Sequence, residues 1–164
     1  MIVVSNSSPL VYLAALSDIE LLPKLFGKIL IPPAVWREVV DQAEGLPVCA
    51  AVEGALGKWL EVVPLKQSVP VETLQSGGLH AGEAEVIQLA HEVDAGVLLI
   101  DDRAAVEYAR SIGLAVVPTL AIYIRAKSAK LIPSVREKAN RLRGTRFRLS
   151  EQDYLAVLRA AGEL

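Results

Sequence analysis

The sequence has little of several things that usually announce a function. Cys49 is its only cysteine, so there is no disulfide framework, no paired-thiol metal site and no internal redox couple. A lone thiol of this kind reads as buried and inert. The two histidines, His80 and His91, read as surface or loop residues rather than ligands. No apolar run is long enough to span a bilayer: the longest, Leu114 to Ile124, is interrupted by Pro118 and Thr119. Met1 to Ser5 lacks the basic stretch and long apolar segment of a signal peptide. These absences predict a soluble, cytoplasmic protein with no membrane partner. Glycine motifs are missing too. Gly77 and Gly78 have no Gly-Lys-Ser/Thr after them, which excludes a P-loop, and no glycine-rich turn follows the first apolar run, as a dinucleotide fold requires.

What is present is a foldable chain. Of 164 residues, 52% are apolar, with 11 glycines and 9 prolines, which excludes disordered and collagenous sequences. One domain spanning 1–164 is expected, with a core over 1–130 and a helical extension over 131–164. The formal net charge is only −2, which by itself suggests no polyanionic partner. That total hides a division. Residues 1–102 carry 5 basic and 14 acidic side chains, whereas residues 103–148 carry 11 basic side chains against only Glu107 and Glu137. An acidic centre beside a basic surface is what metal-dependent chemistry on nucleic acid requires.

Apolar periodicity places the elements. Strands are expected at Ile2–Val4, Lys28–Ile31, Leu60–Val63, Val97–Ile100 and Leu114–Val117. Between them, helices are expected over Leu10–Leu16, from Asp18 to Phe26 with Gly27 as its stop, from Pro32-Pro33 through Val40, over Leu46–Trp59, over His80–Asp94, and from Arg103 to Ser111. Thr119 is expected to cap a helix reaching Lys130, with two more over Pro133–Arg143 and Ser150–Ala161. Ser68–Gly78 reads as a loop. Strands alternating with helices indicate a mostly parallel central sheet covered on both faces.

In such sheets ligands bind beyond the carboxyl ends of the strands. Asn6 stands there after the first strand, and Asp101 and Asp102 after the fourth. Two adjacent acids are costly unless a cation offsets their repulsion; otherwise Asp102 caps the next helix and Asp101 faces water. Glu83 shares the inward helix face of Ile87 and Ala90, either as a site residue or as a capping acid. Glu38 borders the face set by Val35 and Val39, either directed at the same site or solvated.

Four segments in order carry a resemblance: Asn6-Ser7-Ser8-Pro9-Leu10 after the first strand, Ile31-Pro32-Pro33-Ala34-Val35-Trp36-Arg37-Glu38-Val39, Gly82-Glu83-Ala84-Glu85, and Leu98-Leu99-Ile100-Asp101-Asp102-Arg103. Together with Thr119-Leu120 and Gly144 to Ser150, they resemble PIN-domain proteins, in particular the VapC-like branch of prokaryotic toxin ribonucleases. The resemblance implies a three-layer α/β/α fold and a metal-dependent ribonuclease. One or two Mg²⁺ or Mn²⁺ ions would be held by acids, and a metal-activated water would hydrolyse RNA phosphodiesters. Position by position, the family's first acid falls on Asn6, its second on Glu38, its third on Glu83 and its fourth on Asp101 or Asp102. Asn6 departs from the usual aspartate: its amide oxygen can ligate Mg²⁺ but lacks the charge that offsets dehydration. Thr119 is a supporting residue, open to orienting a carboxylate or capping its helix. Arg103, Arg110, Arg125, Lys127, Arg143 and Arg146 are candidate RNA contacts, or else a solvated face. Phe147 is open to stacking a base or to packing on the last helix. The resemblance also implies a homodimer and a small antitoxin partner. Two other readings stand beside the enzyme: a catalytically weakened PIN-like module that binds RNA or a partner protein, and an interaction domain with an apolar interface near Val11-Tyr12 or Ile122-Tyr123.

Overall fold

The computed structural model describes residues 1–75 and 78–164. Five short strands, β1 (Val3–Ser5), β2 (Ile29–Ile31), β3 (Leu60–Val62), β4 (Val97–Leu99) and β5 (Val116–Val117), form one sheet in the order β3-β2-β1-β4-β5. Every pairing is parallel. Val3, Val4, Leu98 and Leu99 are completely buried, as befits central strands covered on both faces.

The strand order dictates where the helices lie. β1, β2 and β3 step toward one edge, through α1 (Ser7–Ala15), α2 (Leu21–Phe26), α3 (Pro33–Trp36) with its π-helical continuation Arg37–Asp41, and α4 (Pro47–Ala55). The chain then returns past β1 to β4 and β5 through α5 (Val71–Gln75), α6 (Ala81–Glu92) and α7 (Arg103–Ser111). Right-handed crossovers in opposite directions put these two groups on opposite faces, giving three layers. α8 (Thr119–Ser128) rejoins the first face beside α1 and α2, and α9 (Val135–Arg143) and α10 (Glu151–Ala160) pack onto it.

Each helix inside a parallel crossover runs back against its strands. The N-termini of α1, α6, α7 and α8 therefore gather at the carboxyl edge of the sheet, where Asn6, Glu83, Asp102 and Asp101 lie. The strand order reverses between β1 and β4, so this edge also holds the topological switch point.

Several local expectations are revised. Asp18 does not open a helix: its carboxylate accepts bonds from Tyr123 Oη at 2.8 Å and Lys138 Nζ at 3.1 Å, and α2 begins at Leu21. Those bonds recruit it to tie the α1–α2 turn to α8 and α9. The loop expected at Ser68–Gly78 contains α5, while Ser76 and Gly77 lie outside the described residues. Cys49 is half-buried, with its thiol toward Glu53 Oε1 at 3.0 Å; that hydrogen bond holds its pKa above the usual thiol value. Ile122 and Tyr123 are fully buried in the core, so they offer no interface. Among the described residues, no helix is long and apolar enough to cross a membrane.

The chain's end is fastened by one carboxylate. Glu163 accepts bonds from Ser134 Oγ at 2.8 Å and Val135 N–H at 2.6 Å, where α9 begins, and pairs with Lys127 at 3.1 Å. Partial burial opposes its charge, but these donors outweigh burial and hold its pKa at about 2. A folded pKa below the unfolded one stabilises the fold fully above about pH 5, and that stabilisation drains away as pH falls toward 2. Glu163→Gln is expected to cost about 1–3 kcal/mol at pH 7. It should also flatten the pH dependence of the melting temperature between about pH 5 and 2, as followed by circular dichroism.

Candidate active site

The register fixes the heart of the site. Ser5 pairs with Leu99, and the Asn6 N–H donates to the Leu99 carbonyl at 2.8 Å, so the ends of β1 and β4 are locked side by side. Asn6 is 5% exposed, and among the described residues its Oδ1 has no hydrogen-bond partner. A buried carbonyl oxygen left unpaired costs of the order of 1–3 kcal/mol, so its retention needs a reason.

Asp101 and Asp102 diverge. Asp101 does not face water: it is partly buried, with Oδ1 accepting the Thr119 N–H at 2.8 Å and Oδ2 accepting Thr119 Oγ1–H at 2.6 Å. Burial raises its pKa despite those two bonds. Thr119, fully buried, thus orients a carboxylate, and the α8 N-cap falls to Pro118. Asp102 caps α7, with Oδ1 accepting the Ala105 N–H at 3.0 Å, and it is exposed.

Glu83 is 2% exposed at the start of α6. It forms a capping box with His80: Oε1 accepts the His80 N–H at 3.2 Å, while His80 Nδ1 accepts from Gly82 N–H at 3.1 Å. Capping and site placement are therefore both true of this residue. Burial pushes its pKa up, the His80 N–H pulls it down, and the Asp102 carboxyl, within hydrogen-bonding reach, raises it again. Asp102 is thus the neighbouring acid that acts on Glu83.

Glu38 stands to one side, between Ser7 and Gly82. It lies in the π-helical turn Arg37–Asp41, whose extra residue shifts the register away from a plain helical stripe. Its Oε2 accepts Ser7 Oγ–H at 2.7 Å. Its Oε1 lies so close to Gly82 that a Cβ at that position would overlap it. Glycine at 82 is what lets the carboxylate approach α6.

The basic residues separate into two sets. Lys127 is engaged with Glu163 and the Ala161 carbonyl, and Arg143 bonds Glu151 at 2.8 Å while lying over the Tyr154 ring at 3.6 Å. Arg125 lies over the Phe26 ring, 5.8 Å from its centroid. These three therefore each make a tertiary contact of their own. Arg103, Arg110 and Arg146, joined by Arg148, line a groove of about 790 Å³ that opens from Asp101 and Asp102 and has Asp153 on its wall. Tyr12, which the sequence offers only as part of an apolar interface, also lines that groove. Burial and then Asp101 raise its pKa, while Arg146 and Arg148 pull it down, so the phenol stands between the acidic and basic parts of the site.

A family model for DUF3368, described as a PIN domain, matches residues 2–163. The chain belongs to the PIN-domain family. A solved PilT N-terminus domain protein from the hyperthermophilic archaeon Sulfolobus solfataricus P2 shares the fold, with a TM-score of 0.55 and 19% identity over 74% of this chain and 90% of that one. No curated protein matches the sequence. PIN domains are generally nucleases and typically use divalent metals, so the donors of this PIN domain deserve comparison with such an ion. They are carboxylates and an amide carbonyl, all hard oxygen donors, and the unpaired Asn6 Oδ1 and the Glu83–Asp102 pair both gain from a cation. Among the described residues, no three His, Cys, Asp or Glu side chains already converge on one point. The residues fit the ion in chemistry, as a pair with flanking members rather than as a closed cage.

Gly82→Ala is expected to expel the Glu38 carboxylate while leaving the melting temperature within a few degrees, because the obstructing atom ends a flexible side chain. A crystal structure of the variant should show Glu38 Oε2 detached from Ser7.

Proposed function

We propose that this PIN domain is a metal-dependent endoribonuclease of the VapC-like kind. The observation that carries the reading is the buried Glu83 beside Asp102 at the switch point, with Asp102 itself lining a groove edged by arginines. Glu83, Asp102 and the Asn6 carbonyl would hold a Mg²⁺ or Mn²⁺ ion, with Glu38 and Asp101 flanking. When bound, such an ion supplies charge neutralisation and lowers the pKa of water. The chain's own groups do the remaining work. Thr119 fixes Asp101, Ser7 and Gly82 fix Glu38, and His80 fixes Glu83 through its backbone N–H. Arg103, Arg110 and Arg146 contact phosphates and hold the backbone along the groove. A homodimer and a small antitoxin partner belong to the same proposal, on the family resemblance alone; co-purification of a basic or acidic small protein with the native chain tests the latter.

A second reading is favoured by one observation, the amide at position 6 where the family's usual acid would stand. It makes the protein a weakened or inactive PIN-like module that binds RNA or a partner without cutting. Cleavage of labelled RNA in Mn²⁺ separates the two. The nuclease reading predicts metal-dependent cleavage that falls about 100-fold or more in Glu83→Gln and Asp102→Asn. Both amides keep the oxygen that accepts the helix-capping bond, so folding should be unharmed, and melting temperatures should stay level or rise as carboxylate repulsion is removed. Asn6→Asp should increase cleavage. If neither the native chain nor Asn6→Asp cuts RNA with metal present, the binding-module reading replaces it.

A further inference from the structure

The groove holds more than phosphate contacts. Tyr12 from α1 and Phe147 from the segment before α10 meet on it edge to face, with ring centroids 5.0 Å apart and planes at 86°. Both rings are half-buried. An edge-to-face pair covers one ring face at most, so each ring keeps a face that its partner does not occupy. Around them the wall is apolar, with Leu120 and Ile124 from α8 and Val157 from α10. The rim is cationic. Among the described residues, Arg110, Arg146 and Arg148 make no ion pair, and Arg103 is 94% exposed with only a 3.4 Å contact to Glu107.

Resting on the nuclease reading, we propose that this groove is a nucleobase subsite: Tyr12 and Phe147 receive one unstacked base of the bound strand, and Arg146 and Arg148 hold its flanking phosphates. Aromatic faces inside with guanidinium groups outside match the two halves of a nucleotide, a π-surface and an anion. The volume of about 790 Å³ lies within the range of pockets that enclose a small organic group. An acidic peptide would use the arginines but leave the paired rings without a matching partner. Because the groove begins at Asp101 and Asp102, the captured base lies next to the phosphodiester presented to the acids, and the subsite sets which linkage is presented.

Binding measured without metal separates this proposal from cleavage. Fluorescence anisotropy of the full chain in EDTA would compare a labelled single-stranded oligoribonucleotide with an abasic phosphodiester of equal length. The base-bearing strand should bind about 5- to 150-fold more tightly, the range of one stacked base. Phe147→Ala should erase most of that ratio by weakening only the base-bearing strand. Phe147→Leu, which keeps apolar volume and removes the π-face, should do the same if the alanine variant folds poorly. Arg146→Gln with Arg148→Gln should weaken both strands alike and flatten the salt dependence. Equal binding of the two strands, or equal loss of both in Phe147→Leu, overturns the subsite, as does failure of both to bind. The nuclease reading fails separately. Cleavage by a protein showing no base contrast would sustain it while overturning the subsite, and base contrast without cleavage would sustain the subsite while counting against the enzyme.

Discussion

The buried Glu83 carboxylate, with Asp102 acting on it, is the charge that the carboxyl edge of the sheet has to offset. Like charges in partly buried surroundings repel, and each must be offset locally or by something bound. The fold offsets part of that cost with backbone donors. The His80 N–H bonds Glu83, the Ala105 N–H bonds Asp102, and the Thr119 N–H bonds Asp101, all at or beside helix N-termini whose dipoles favour negative charge. The parallel topology makes this possible, because it delivers those N-termini to the same edge.

The same constraint explains the amide at position 6. Asn6 is almost completely buried between the ends of β1 and β4. A carboxylate there would add another charge to a region that already raises the pKa of both Glu83 and Asp101. Asparagine keeps an oxygen at that point without the charge, at the cost of leaving it unpaired. The exchange spares the fold a further buried charge.

Much of this was legible in the sequence, and the parts that were not share a cause. The strands were readable because Val3-Val4 and Leu98-Leu99-Ile100 are short apolar runs bounded by polar turns. The strand-end positions of Asn6, Asp101 and Asp102 were readable from the apolar runs before them, and the inward position of Glu83 from the helix face it shares with Ile87 and Ala90. Spacing could not tell Asp101 from Asp102, since the distinction depends on Thr119, 18 residues away, taking both oxygens of the former. Nor could composition tell which arginines are free. Arg143 and Lys127 are consumed by Glu151 and Glu163 on α10 and the chain's end, whereas Arg146 and Arg148 fall on the groove. The −9 and +9 halves of the sequence do meet at Asp101–Arg110, but only part of the positive half faces the acids.

The proposed function requires Glu83 and Asp102 to bind a cation as well as to cap their helices. Electron paramagnetic resonance titration of Mn²⁺ into the native chain tests that directly, without any substrate. Saturable binding that disappears in Asp102→Asn, in a variant whose melting temperature is undiminished, is the predicted result. Absence of saturable binding, or binding unchanged in Asp102→Asn, would contradict it.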